Sequence, residues 1–203
     1  MILRSLKTGG SERVTLILED GEEIVSTLGV VTELRLYAGK DLEESELKQL
    51  RDKTAVAAAL DHALLLLSQR PHSRKELRDK LIRKGESADA ADAALAWLAE
   101  HNYLDDAGYA ASVVRHYTQK GYGVQRIRAE FARRGVPREL WDEALAEAAP
   151  PGDYIERFLR SRLHNPEDRK EVQKLSAALL RRGYSWEEIR AALRRFDTET
   201  EED

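Results

Sequence analysis

The stretch Leu77-Arg78-Asp79-Lys80-Leu81-Ile82-Arg83-Lys84-Gly85 is echoed by Ile127-Arg128-Ala129-Glu130-Phe131-Ala132-Arg133-Arg134-Gly135. It is echoed again by Leu175-Ser176-Ala177-Ala178-Leu179-Leu180-Arg181-Arg182-Gly183. The three glycines stand 50 and 48 residues apart. Self-similarity at a nearly fixed period is the mark of a repeat architecture, and it constrains the fold more than local propensity does. Eight residues before the glycines stand Leu77, Ile127 and Leu175; four before stand Leu81, Phe131 and Leu179. Side chains four apart share a helix face, so each stretch reads as a helix with one apolar side. The glycine supplies the left-handed residue that ends the helix, and the two cations ahead of it oppose the helix dipole. Nine and ten residues beyond come Ala94-Leu95, Ala144-Leu145 and Ala192-Leu193, the apolar face of a following helix.

Outward from these landmarks the chain breaks at Gly, Pro or Asn into helical stretches of about 10–15 residues, a common helix length. Arg70-Pro71-His72 is a stop and Ser73 a cap for the next helix. Asp105-Asp106 caps a helix starting near Ala107, Pro137 suits a first helical turn, and Ser185-Trp186-Glu187-Glu188 has the form of a capping box. The expectation is a mainly α fold of tandem three-helix, helix-turn-helix-like repeats over 55–105, 106–149 and 150–196. Trp97, Trp141 and Trp186 fall in or at the start of each unit's third helix, where packing is their simplest role.

Residues 1–54 form an extension. Val14-Thr15-Leu16-Ile17-Leu18-Glu19 is β-branched and partly alternating, Asp20-Gly21 suits a tight turn, and Glu22–Thr27 resumes the strand. A small β-hairpin results, which needs the following helix for support. Gly29–Ala38 is a candidate helix stopped by Gly39, and Asp41-Leu42-Glu43-Glu44 a candidate capping box. Residues 197–203 carry five acids and read as a disordered acidic tail.

The chain has 203 residues and a net charge of −4, which argues against a simple nucleic-acid binder. The distribution changes that reading. Residues 1–106 carry −5, residues 107–196 carry +6 and the tail −5. No cysteine is present, so no disulfide and no thiolate chemistry is available. The N-terminus lacks the apolar run of a signal peptide, and the longest apolar run, Ala63–Leu67, falls far short of the roughly 20 residues of a membrane span. A cytoplasmic protein without membrane contact is expected.

The candidate interface is a set of cations on the second helices or shortly before them, with one aromatic. In the first unit it comprises Arg74, Lys75, Arg78, Arg83 and Lys84. In the second it comprises Arg115, Lys120, Tyr122, Arg126, Arg128, Arg133 and Arg134, and in the third Lys174, Arg181 and Arg182. Stacked in register, these residues make a basic stripe suited to phosphates or to a carboxylate-rich groove. The plainer reading is a solvated face whose end cations each contribute about 0.3–1 kcal/mol through the helix dipole. Tyr122 lies between Gly121 and Gly123, where its ring either folds over a helix end or stays open for contact. The histidines His62, His72, His101, His116 and His164 occur singly, with no metal-site spacing, so no metal, cofactor or catalytic residue is assigned.

The order Tyr103-Leu104-Asp105-Asp106-x-x-Tyr109-Ala110, then Arg115, Lys120-Gly121-Tyr122-Gly123, Arg126-Ile127 and Gly135-Val136 resembles the RecX family, regulators of the RecA recombinase. Ser73-Arg74-x-x-Leu77-x-x-x-Leu81-x-x-Lys84-Gly85 is similar to the family's first repeat. The resemblance is strongest over 62–136 and thinner over 137–196, with departures at Ala107-Gly108 and Phe131. It implies a curved array of three-helix repeats and a monomeric, non-enzymatic modulator that lies in the groove of the RecA–DNA filament. Inhibition of recombinase, ATPase and filament extension is implied with it, in homologous recombination, DNA repair and the SOS response. Single- and double-stranded DNA are implied as weaker partners. A stand-alone DNA-binding protein with one helix in the major groove is the alternative.

Overall fold

The structure is a computed structural model that describes residues 1–10, 12–146 and 151–201, with side chains described outside 151–152 and 196–201. It divides into two compact units, Met1–Leu104 and the chain from Asp105 onward.

The first unit opens with three antiparallel strands, β1 (Leu3–Thr8), β2 (Arg13–Leu18) and β3 (Glu23–Thr27), in the order β1-β2-β3. The expected hairpin is therefore only the β2–β3 half of the sheet, turning at Gly21 with φ +89°. The missed strand β1 has a register irregularity between Leu3 and Ser5. That irregularity spoils the period of two by which a strand is read from sequence. Val14, Leu16, Leu18 and Ile24 send alternate side chains into a core with Leu3, Val30, Val31, Leu36, Leu42, Leu47 and Leu50.

Helix α1 (Leu28–Glu33) is capped by Thr27 and stops short of the expected Ala38, because Arg35 takes a left-handed φ of 49° and reverses the chain. Gly39 serves the sheet instead of a helix end: its N–H donates to the Leu3 carbonyl at 2.7 Å. Helix α2 (Glu44–Gln69) starts from a capping box formed by Glu43 and Glu46, two residues beyond the expected one. Asp41 is occupied elsewhere, holding the Met1 ammonium at 3.0 Å.

The 26-residue α2 is continuous through residues 54 and 55 and serves two cores. Its first half backs the sheet, where Thr54 Oγ1 donates to Ser26 Oγ at 2.8 Å. Its second half packs Ala63 against Leu77 and Leu81 of α3 (Arg74–Arg83) and Ala91, Leu95 and Leu98 of α4 (Ala88–Glu100).

The second unit holds two more triplets. The first is α5 (Asp106–Gln119), α6 (Val124–Arg134) and α7 (Trp141–Ala146), the last preceded by a 3-10 turn at Arg138–Leu140. The second is α8 (Pro151–Arg160), α9 (Arg169–Arg181) and α10 (Trp186–Glu201). The acidic segment from Asp197 continues the backbone of α10 to Glu201, and the rest of the expected tail, 202–203, lies outside the described residues.

The repeat register is also the packing register. Leu77, Ile127 and Leu175 are buried, as are Leu81, Phe131 and Leu179 four residues on, and Ala94, Ala144 and Ala192 answer them from the third helix. Gly85, Gly135 and Gly183 all have positive φ, at 105°, 66° and 92°. Two residues later Ser87 and Ser185 cap the third helix, each accepting a backbone N–H, and Pro137 precedes the 3-10 turn.

Candidate functional site

On α3 the candidate cations are largely matched by acids of their own repeat. Lys75 meets Asp79 at 2.9 Å, and Arg78 reaches across to Asp92 on α4 with Nε at 2.5 Å and Nη2 at 2.8 Å. That hydrogen-bonded pair raises the Arg78 guanidinium and lowers the Asp92 carboxyl. Arg83 donates to the Asp79 carbonyl at 3.1 Å, while Arg74 and Lys84 are exposed. Exposed pairs of this kind add little stability, typically about 0–1 kcal/mol, but they cancel the field a phosphate would feel.

On α6 three of the four arginines turn to one carboxylate. Glu130 is buried among them, 3.4 Å from Arg126, 2.6 Å from Arg133 and 3.2 Å from Arg134. Burial pushes the Glu130 carboxyl up, but hydrogen bonds from Arg133 and Arg134 outweigh it and hold the group below the usual carboxylate range. Arg134 also donates to the Tyr109 hydroxyl at 3.0 Å and the Tyr117 hydroxyl at 3.5 Å, and stacks on the Tyr117 ring. Burial works against its charge; the two phenols and Glu130 raise it regardless. Arg134 is thus a packing cation inside its repeat. Arg128 crosses to Asp142 on α7 at 3.0 Å, as Arg78 does to Asp92.

The segment Lys120-Gly121-Tyr122-Gly123 forms a seam between the second and third triplets of this unit. Gly123 N–H donates to the Arg182 carbonyl at 2.9 Å, and Gln125 N–H to the Gly183 carbonyl at 3.1 Å. The approach leaves no room for side chains: a Cβ on Gly123 would lie 2.4 Å from the Gly183 oxygen. Arg182 returns along the seam, donating to the carbonyls of Lys120 at 3.2 Å and Gly121 at 3.4 Å. Its guanidinium sits over both the Tyr122 and Tyr154 rings, at 5.7 and 5.5 Å. Tyr122 is folded in, half-buried and 5.4 Å from Tyr117. The seam explains the glycines of this segment by backbone contact, a role that its mixture of rings and cations did not reveal.

Among the remaining candidates, Arg115 is exposed on α5 and Lys120 at its end. Lys174 and Arg181 are exposed on α9 and make no hydrogen bond or ion pair among the described residues. The tryptophans divide. Trp141 packs on Phe131 and donates from Nε1 to the Val136 carbonyl at 2.9 Å; Trp97, 38% exposed, stacks on His101 with ring centres 3.9 Å apart, and Trp186 is 48% exposed, so neither of these two is a buried core residue. Among the described residues no group of three or more His, Asp or Glu is placed to hold a metal ion, and no helix is long and apolar enough to cross a membrane.

Residues 59–98, 105–145 and 155–193 match, in order, the models of the first, second and third RecX three-helix domains. The regulatory protein RecX of Xanthomonas axonopodis pv. citri (strain 306) is 40% identical over 157 residues, covering 75% of this chain and 93% of that one. That of Vibrio vulnificus (strain CMCP6) is 38% identical over 138 residues, covering 66% and 89%. A crystal structure of regulatory protein RecX shares the fold with a TM-score of 0.76 at 21% identity, over 94% of this chain and 98% of that one. A crystal structure of RecX from Lactobacillus salivarius does so with a TM-score of 0.62 at 22% identity, over 71% and 97%. With all three domains present in order, and close sequence relatives spanning most of its length, the chain belongs to the RecX family of regulatory proteins.

Proposed function

We infer that this protein is a non-catalytic, monomeric cytoplasmic regulator of RecA that binds in the groove of the RecA–DNA filament. It limits ATP hydrolysis, filament extension and strand exchange, and so acts in homologous recombination, DNA repair and the SOS response. The observation that carries this reading is the set of three consecutive RecX domains, in a chain whose relatives are named regulatory proteins. Repeated small modules suit a filament, because linked weak contacts to successive subunits multiply into useful affinity. The exposed cations Arg74, Lys84, Arg115, Lys120, Lys174 and Arg181 are the contacts assigned to acidic filament surface and to DNA. Arg134, Arg182 and Tyr122 support those contacts by holding the second and third repeats in shape.

The test is RecA ATP hydrolysis on single-stranded DNA with increasing amounts of this protein. Suppression at substoichiometric ratios is expected. No change at any ratio or salt concentration rejects the reading. Tight binding to duplex DNA without RecA would instead favour the stand-alone DNA-binding alternative.

A further inference from the structure

The repeat register exposes an inversion in the third repeat. Seven residues before the landmark glycine the first two repeats place Arg78 and Arg128; seven after it they place Asp92 and Asp142. In both, the pair joins the second helix to the third, at 2.5 Å and 3.0 Å. The third repeat has Ser176 and Arg190 at these positions. The guanidinium of the second helix is gone, and the carboxylate of the third helix has become a guanidinium. Ser176 is buried, and its hydroxyl has no hydrogen-bond partner among the described residues. A neutral pair has been exchanged for a positive charge.

Arg190 keeps that charge unneutralised. It is exposed and makes no ion pair among the described residues, although Glu187 lies only one turn earlier on α10. What it does touch is Trp186, whose ring centre is 5.7 Å from its guanidinium carbon. Trp186 is 48% exposed, so the indole carries the guanidinium while leaving much of its own surface open. The setting reinforces the sign: residues 55–105 carry a net charge of −1, 106–149 +1 and 150–196 +4.

We propose that Trp186 and Arg190 form a contact for single-stranded DNA, in which a base stacks on the indole and the guanidinium takes a neighbouring phosphate. An open ring beside an unpaired, planar cation answers both chemistries of a single strand, its π faces and its phosphates. A carboxylate-rich protein surface would answer the guanidinium and leave the indole without a counterpart. The site deepens the filament reading, on which its place beside RecA-bound DNA rests.

The experiment uses the full chain without RecA, titrated into a fluorescein-labelled oligo-dT strand and read by anisotropy at several salt concentrations. Arg190→Gln is expected to reduce the slope of log K against log salt by about 0.7, one phosphate contact on a single strand. Trp186→Ala is expected to weaken binding about fivefold or more, and Trp186→Phe to retain most of it. Lys48→Gln, an exposed cation on α2 of the first unit, is expected to change nothing. Circular-dichroism melting of each variant separates lost contact from lost fold. Wild-type affinity and salt slope in folded Arg190→Gln and Trp186→Ala overturn the proposal. So does a loss confined to RecA-containing assays, which would place the pair against protein. If the wild type fails to suppress RecA ATP hydrolysis but the oligo-dT results hold, the filament reading falls and this contact stands.

Discussion

Gly123 and Gly183, 60 residues apart in sequence, meet backbone to backbone: the Gly123 N–H donates to the Arg182 carbonyl, and the Gly183 carbonyl accepts from the Gln125 N–H. A Cβ added at Gly123 would stand 2.4 Å from the Gly183 oxygen and 2.7 Å from the Tyr184 nitrogen. Neither obstacle is a flexible side chain that can swing aside. Gly123→Ala is therefore expected to pry the third repeat from the second, at a cost of about 1–3 kcal/mol as in other overpacked sites. Hydrogen exchange checks this: the amides of Gln125 and position 123 should lose protection while those of α3 and α4 keep theirs. Unchanged protection at the seam would contradict it.

Arg182 serves the same seam through its fork and its flat face. Lysine keeps the charge but can neither span two carbonyls nor lie between two rings. Arg182→Lys is expected to lower the unfolding free energy by about 1.5–3 kcal/mol, the range for hydrogen bonds to charged groups. Arg181→Lys, next to it but exposed, is expected to leave stability unchanged. Equal denaturation midpoints for the two variants would deny Arg182 its structural role.

Glu130 gives the second repeat an acid-sensitive element. Its carboxyl is held below the ordinary value of 4.5 in the folded chain. Ionised Glu130 thus favours folding above the unfolded pKa, and that contribution fades as pH falls through the lower folded value. Glu130→Gln is expected to destabilise the protein at pH 7 by about 2 kcal/mol. The same substitution should flatten the decline of Tm between about pH 5 and 3, which thermal melts at stepped pH will show.

His72 acts at milder pH. It is buried before α3, with Nδ1 at 2.8 Å from the Arg70 carbonyl and Nε2 without a partner among the described residues. Burial lowers its pKa from 6.5; the charges of Arg70 and Lys80 add to the effect, and the hydrogen bond to the Arg70 carbonyl and the charge of Glu76 oppose it. The neutral ring therefore belongs to the folded state, and stability is lost as pH falls below the unfolded value near 6.5. The first repeat should lose stability from pH 7 to 5.5 in the wild type and much less so in His72→Asn, as followed by the exchange rates of α3 amides.

We propose that the acidic segment from 197 onward screens the basic charge of the third repeat. Five acids in seven residues oppose the +4 charge of the repeat they follow. Deleting 197–203 is expected to raise affinity for oligo-dT several-fold at low salt and to matter little at high salt, where such charges are screened. Equal affinity with and without the segment at low salt would dismiss the screening role.

Most of the helical architecture was legible because its landmarks are local. A positive-φ glycine after two cations, with apolar residues four and eight before it, marks the same helix end wherever it occurs. Strand β1 was illegible because the irregularity at Leu3 and Ser5 removes the alternation. The capping box of α2 was misplaced by two residues because Asp41, a good cap by type, is drawn to the Met1 ammonium 40 residues away. The candidate site was the least legible part. A sequence counts charges but does not pair them: Arg134 reads as a surface cation until Glu130, Tyr109 and Tyr117 close around it. Lys120-Gly121-Tyr122-Gly123 reads as a contact loop until Arg182 and Gly183 come to rest on it. Arg78–Asp92 and Arg128–Asp142 were visible only as spacings of 14, which acquire meaning once two helices are folded against each other.

The most direct measurement of the central claim is co-sedimentation of this protein with preformed RecA filaments on single-stranded DNA, with the same samples imaged by electron microscopy. The protein is expected to pellet with the filaments in a saturable ratio, to lie along their groove and to stop their extension. A protein that stays in the supernatant at every ratio, beside filaments of unchanged length, would contradict it.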